Sequence, residues 1–306
     1  MRVAVIGLGV QGRKRRAIAG DQVVAVIDPV AAGADFQRVE DLPLDSYDAA
    51  CVCVPDQEKF AVLRYLLNNG KHALVEKPVL GSTAEIGELI EFSQRKNAAC
   101  YTAYNHRFEP HIARLRQVLE SGSLGQIYLA KFYYGNGTAR DVRNSPWRDK
   151  DLGVFSDLGS HMLDMAHFLF GPHEETGELW SADRFENQAP DHVLFGYRGQ
   201  RVLEMEASLL SWRNTFHLDL CGELGSAHID GLCKWGPSTL TVRKRILPSG
   251  GPEETVEVLE QPDPTWQLEY NYFLELCRTG ETNLRNDIWI SEKISQLGEV
   301  MRNVRS

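Results

Sequence analysis

The chain opens on an apolar strand, residues 3–6, that runs straight into Gly7-Leu8-Gly9-Val10-Gln11-Gly12 and then into a helix, 10–19. Few features restrict a fold so tightly. The first glycine permits the tight turn, the second lets a ligand approach the bare backbone, and the third lets helix and strand pack closely. The helix start that follows offers N–H groups and the positive end of a dipole to an anion. A second apolar strand, 23–27, ends in Asp28, at the distance along the chain where a carboxylate accepts from a ribose diol. Together these predict a dinucleotide-binding turn in a Rossmann unit, with Gly7, Gly9, Val10, Gln11, Gly12 and Asp28 as its contacts. Against a 2′-phosphate about 4 Å away, Asp28 would cost a few kcal/mol at intermediate dielectric. NAD is therefore expected over NADP. The run Arg13-Lys14-Arg15-Arg16 is read as a solvated face of the first helix.

Strand and helix signals keep alternating through the first third. A strand at 49–54 is closed by Pro55-Asp56, and a helix at 57–68 ends at Asn69-Gly70, a good C-cap. A strand at 72–75, a helix at 82–96 and a strand at 98–103 follow. Alternation of this kind predicts a parallel, doubly wound sheet. The segment 29–47 is short for a helix plus a strand, so a loop with a brief strand is expected there.

After a helix at 111–120 the texture changes. Segments 126–134, 192–197, 201–209, 215–221, 227–229, 239–245 and 255–259 read as successive strands with turns between them. One strong helix, 156–170, interrupts them early, and two more, 265–278 and 287–302, close the chain. The expected fold is α/β plus α+β: a Rossmann domain over 1–118, then a substrate-binding and oligomerisation domain over 119–306. The second carries an open, mainly antiparallel sheet with helices on one face. Its other face is expected to be apolar enough to form a homodimer or homotetramer interface.

With 306 residues there is room for two cores. The formal net charge of −9 argues against a general nucleic-acid or anionic-membrane surface, though not against an anionic small ligand in a locally basic pocket. No apolar run approaches the roughly 20 residues of a bilayer span. The N-terminus enters a strand with no h-region, and the six cysteines form no CxxC pair. A cytoplasmic protein with reduced thiols is expected.

Oxidising a secondary alcohol needs a hydride acceptor and a base for the hydroxyl proton. Glu76-Lys77-Pro78 follows the strand 72–75, at the carboxyl edge where such sheets bind ligands. Asp157 and His161 fall four apart on the predicted helix, side by side on one face. Asp157, His161, Asp164 and His167 also have the spacing of a metal face. Hydride transfer to nicotinamide needs no metal, and Asp164 and His167 are read as capping or structural groups, so none is assigned.

These segments, with Tyr104-Asn105-His106-Arg107-Phe108 and the run from Gly153 to Asp164, resemble the glucose–fructose oxidoreductase / inositol dehydrogenase / rhizopine-catabolism family, Gfo/Idh/MocA. The motifs fall in the family's order and cover the chain end to end. The resemblance implies an NAD(P)-dependent sugar-type dehydrogenase. Lys77 would hydrogen-bond the reacting hydroxyl, with Asp157 and His161 as the acid and the proton-accepting histidine. Glu76 would touch the nicotinamide side of the cofactor, with Pro55 at the strand end among the cofactor contacts. Asn105 and Arg107 would bind substrate, and Trp147-Arg148 would pack beside nicotinamide and substrate. Where the family often has Asn and His after the strand-ending proline, Asp56 and Lys59 stand here.

The implied substrate is a sugar or a cyclitol. Arg107, Arg140, Arg143 and Arg148 favour a phosphate-bearing or nucleotide-linked sugar. Two other functions share these features. One is a lyase or hydrolase of glycosides that oxidises transiently with retained NAD, recognised by product without net nicotinamide absorbance change. The other is a non-catalytic nucleotide-binding regulator, against which Lys77, Asp157 and His161 together argue.

Overall fold

The computed structural model describes residues 1–145 and 148–303. Its packing divides the chain into two units, 1–105 with 266–292, and 106–265 with the segment from 293 onward. The boundary expected after residue 118 therefore moves. Helix Pro110–Glu120 buries His111, Ile112 and Leu115 and packs on strands of the second unit. The segment beginning at Trp266 returns to the first unit, where buried Glu269 meets Arg15 at 2.7 Å and Tyr270 donates to Gln22 at 2.5 Å.

The first unit is a five-stranded parallel sheet of order β2-β1-β3-β4-β5, built from β1 (Val3–Ile6), β2 (Val23–Ile27), β3 (Ala49–Val52), β4 (His72–Glu76) and β5 (Cys100–Ala103). Both β1 and β3 are buried at every position. Strands covered on both faces require such continuous apolar runs. Helices α1 (Val10–Ala19), α2 (Asp56–Asn68) and α3 (Thr83–Lys96) connect them. Ser82 and Glu85 form a capping box at the start of α3. Ile6 pairs with Ile27 on one side and Val52 on the other, and Val52 pairs with Val75. That register places Gly7, Asp28, Cys53 and Glu76 at one carboxyl edge. The shortened segment after β2 holds only a bridge from Ile27 to Phe36 and single turns at Val39–Asp41 and Leu44–Ser46.

The second unit is an eight-stranded sheet of order β13-β12-β11-β10-β6-β9-β8-β7, antiparallel except where β6 (Ile127–Gly135) runs parallel to β9 (Val202–Ser208). The others are β7 (Gly177–Asp183), β8 (His192–Arg198), β10 (Thr215–Gly222), β11 (Gly225–Asp230), β12 (Ser238–Lys244) and β13 (Glu253–Leu259). Helices α4 (Pro110–Glu120), α5 (Ala139–Arg143) and α6 (Ser160–Phe170) belong to this unit. Helices α7 (Thr265–Thr279) and α8 (Leu284–Asn303) close the chain. The sequence reading did not anticipate β7 or α5.

Alternation along the strands buries Ala130, Phe132 and Tyr134 with Met205, Phe216 and Leu218. It turns the intervening residues outward, and these mix polar side chains with apolar ones such as Tyr128, Val256 and Val258. Lys131 pairs with Glu204 at 3.4 Å, His192 lies between Asp183 and Glu206, and His228 pairs with Asp219 at 2.6 Å. The outer face expected to be apolar also carries charged and histidine pairs, because the adjacent tyrosines Tyr133 and Tyr134 of β6 divide between the two sides. The helix expected over 156–170 also divides. A π-helical turn, Phe155–Gly159, precedes α6, and the Phe155 ring folds over Gly159, where a Cβ would collide with it. Among the described residues no helix is long and apolar enough to cross a membrane.

Candidate active site

In the first unit the glycine turn forms as its spacing requires. Gly7 sits at φ 90°, and a Cβ on it would strike the Cys53 carbonyl, while one on Gly12 would strike the Gly7 carbonyl. These two glycines shape the turn itself. Gly9 differs, since a Cβ there would meet nothing within 4 Å. It is the N-cap of α1, and among the described residues no side chain caps that helix and no acidic residue lies in its first turn. An open space beside uncapped N–H groups fits a pyrophosphate.

Asp28 lies beside this turn. One carboxylate oxygen accepts from Leu8 N–H at 2.7 Å, and the other accepts from Val30 and Ala31 N–H, both at 2.9 Å. Burial alone would raise its pKa, but the three backbone donors outweigh it and hold the carboxyl below its ordinary value. Asp28 thus stands beside the glycine turn as an anion, with lone pairs already shared among backbone groups.

The turn after β4 carries Glu76, half-buried Lys77 and buried Pro78, joined by a cis peptide between the last two. Glu76, expected at the nicotinamide, accepts from Arg15 Nε at 2.7 Å. Arg15 is 1% exposed, bonds Glu269 through its other arm at 2.7 Å and lies 4.3 Å from the Trp266 ring centroid. Burial works against its charge, and Glu269 and Glu76 more than restore it. The solvated basic face expected of α1 is thus correct for Arg13, Lys14 and Arg16, which are exposed, and wrong for Arg15. Its helical stripe gave the signal, since Gly12, Arg15 and Ala19 are the buried positions of α1. Pro55 is the N-cap of α2. Asn105 is buried at the start of the turn Asn105–Phe108.

In the second unit His161, 8% exposed, lies in an aromatic nest. Its ring packs edge-on against His106 at 4.1 Å between centroids and tilts toward Tyr134 at 6.0 Å. Lys234 Nζ stands 3.1 Å from His106 Nε2 and 4.4 Å from the Trp235 ring centroid. The turn holding Lys234 is clamped by fully buried Glu109, which caps α4 through His111 N–H and accepts from Cys233 N–H at 2.8 Å. Burial, reinforced by the Asp157 charge, keeps the Tyr134 hydroxyl protonated. His106, Tyr134, Lys234 and Glu109 were assigned no role from sequence. Only His106 stood inside a quoted motif, and the others are brought in by strand pairing and a distant turn.

Asp157 is 40% exposed at its side chain and faces Arg148 at 3.6 Å. Trp147, expected beside Arg148, lies outside the described residues. Arg107, expected to bind substrate, makes a two-pronged bond to fully buried Asp164, at 2.8 and 2.5 Å. That pairing accords with the structural reading of Asp164. His167 is lowered to about 4, first by burial and then by the nearby Arg107 charge. Arg143 pairs with Glu186 at 3.3 Å, and Arg140 is exposed. Three of the four arginines considered for an anionic sugar thus already have acidic partners.

Two family models match. The one described as oxidoreductase family, NAD-binding Rossmann fold, covers residues 1–104, and the GFO/IDH/MocA C-terminal domain covers 112–228. Among curated proteins the chain is similar to an uncharacterised oxidoreductase of Schizosaccharomyces pombe, 31% identical over 48% of this chain and 40% of that one. The matched stretch is thus about two-fifths of that relative's length. An inositol dehydrogenase homologue from Azotobacter vinelandii, solved with NADH and myo-inositol, aligns at TM-score 0.80 and 17% identity over 99% of this chain and 96% of its own. UDP-N-acetylglucosamine 3-dehydrogenase from Acidithiobacillus ferrooxidans aligns at 0.78 and 21% over 97% and 95%. At such identities these likenesses speak for the fold alone.

Proposed function

Because the chain belongs to the Gfo/Idh/MocA oxidoreductase family, we propose that it is an NAD-dependent dehydrogenase of a secondary alcohol on a neutral sugar or cyclitol. The observation that carries this reading is the retention of a lysine at the carboxyl edge of a dinucleotide-type sheet together with a histidine buried in an aromatic nest.

The N–H groups around Gly9 to Gly12 would hold the pyrophosphate, and Asp28 the adenosine ribose. Nicotinamide, when bound, supplies the hydride acceptor or donor. Lys77 donates a charged hydrogen bond to the reacting hydroxyl and lowers the cost of alkoxide character. The His161 imidazole takes the hydroxyl proton. Asp157 favours the cationic ring through its negative charge. The nest around His161 excludes water, and His106 and Tyr134 fix the plane of its ring. Arg107 serves this unit by anchoring Asp164 on α6, rather than by binding substrate. With Arg107, Arg143 and Arg148 paired to carboxylates, a neutral polyol is favoured over a phosphate-bearing or nucleotide-linked one.

The test is a panel of myo-inositol, D-glucose and UDP-N-acetylglucosamine with NAD⁺ and with NADP⁺, followed by nicotinamide absorbance, with cofactor affinity read by tryptophan fluorescence. Expected are NADH formation with a neutral member and tighter binding of NAD. Tighter binding of NADP would overturn the assignment of Asp28. Product without net reduction would indicate a lyase or hydrolase that retains its cofactor.

We further propose self-association through the outward side of the eight-stranded sheet. The charged and histidine-rich pairs there make any such contact polar and sensitive to salt. Light scattering at low salt should give a multiple of 34.5 kDa that declines as salt is added. A monomer at micromolar concentration in both conditions would end this idea.

A further inference from the structure

The turn carrying Lys77 is tied down on both sides inside the first unit. Before it, Glu76 is held by Arg15. After it, the Pro78 carbonyl accepts from Lys59 Nζ at 2.7 Å. The Val79 carbonyl accepts from Ser291 Oγ at 3.2 Å, and Gly81 N–H donates to that hydroxyl at 3.4 Å. The Phe60 ring lies over Gly81, where a Cβ would collide with it.

Lys59 is the costly member of this set. It is 2% exposed and stands near the start of α2. Burial strips its water, and a helix N-terminus is already positive. Burial lowers its pKa, against the pull of Asp56 at 2.7 Å. An unbranched apolar side chain would fill the same space without either penalty. What only a cation of this length supplies is a charged donor to the Pro78 carbonyl, one residue beyond Lys77.

We propose that Lys59 is a positioning residue for Lys77: it clamps the Pro78 carbonyl and so fixes where the Lys77 backbone leaves the sheet. Asp56, exposed at 70%, holds the Lys59 ammonium in place from the first turn of the same helix. The inference rests on reading Lys77 as the group that meets the reacting hydroxyl. A displacement of about 1 Å at such a group lowers turnover on the order of 100-fold.

The experiment uses the full chain, with Lys59→Met, Lys59→Arg, Asp56→Asn and Lys77→Ala. It measures NAD affinity, turnover on the most active panel member and amide hydrogen exchange over residues 77–81. Lys59→Met is expected to bind NAD normally, to lose turnover roughly 10- to 100-fold, mainly in kcat, and to exchange faster over that segment. Lys59→Arg restores a charged donor and should recover part of both. Asp56→Asn, on the surface, should show a milder form of the same pair of changes even if Lys59→Met folds poorly. Wild-type turnover and exchange in Lys59→Met or Asp56→Asn, beside an inactive Lys77→Ala, would overturn the positioning role. If Lys77→Ala itself kept its turnover, the catalytic reading beneath would fall, while the exchange data would still judge the tether.

Discussion

Replacing His161 with alanine is expected to lower turnover on the order of 10²- to 10⁴-fold, the usual contribution of a general acid–base group. The change empties part of the nest formed with His106 and Tyr134. Some loss of stability from the cavity is therefore expected as well. His161→Asn keeps most of the volume and separates the two effects. It should lose turnover like the alanine variant with a smaller fall in Tm. NAD affinity should change little in either, since the proposed phosphate contacts are backbone groups near Gly9. Near-normal turnover in both variants would leave Lys77 as the base. If Lys77→Ala kept turnover too, both assignments would fail.

Gly9→Val should do the reverse, leaving the protein folded and removing its cofactor. Gly9 has φ −68°, an ordinary value for any residue, and open space beyond its Cα. Losing a helix-capping glycine costs at most about 1 kcal/mol. A valine there occupies the volume where phosphate oxygens meet the helix start. Losing two charge-assisted hydrogen bonds, each roughly 1.5–3 kcal/mol, corresponds to at least about 100-fold in Kd. The informative control is Gly12→Ala, whose Cβ would run into the Gly7 carbonyl. That variant should lose stability along with cofactor. Gly9→Val with unchanged NAD affinity would remove the glycine turn from the cofactor site.

The first five strands and three helices were legible because their signals are local: continuous apolar runs, a glycine turn, a strand-ending Pro55-Asp56 and the Asn69-Gly70 cap. The second sheet was legible where strands alternate cleanly. It failed at β7, whose register shifts between Leu179 and Ser181 and whose residues are mostly half-exposed at the sheet edge. A helix of five residues such as α5 is too short to show a period. The candidate catalytic residues could be named because they sit in contiguous motifs. Their supports could not, since Lys234, Tyr134 and Glu269 reach their partners through tertiary packing that no local pattern records. Arg15 lies between the cases. Four basic residues in a row look solvated, yet the helical stripe through Gly12 and Ala19 singles one of them out.

The return of 266–292 to the first unit also has a timing consequence during synthesis. Glu269 follows Arg15 by 254 residues, so at roughly 5–20 residues per second the ribosome supplies it on the order of ten to fifty seconds later. For most of that interval, once residue 76 has been made, α1 presents an arginine to the sheet with Glu76 as its ion-pair partner and without Glu269 or the Trp266 ring. The first unit, although begun first, cannot close until residues 266–292 have been made. A fragment ending at residue 118 would remain in that nascent state, however long it was given to fold.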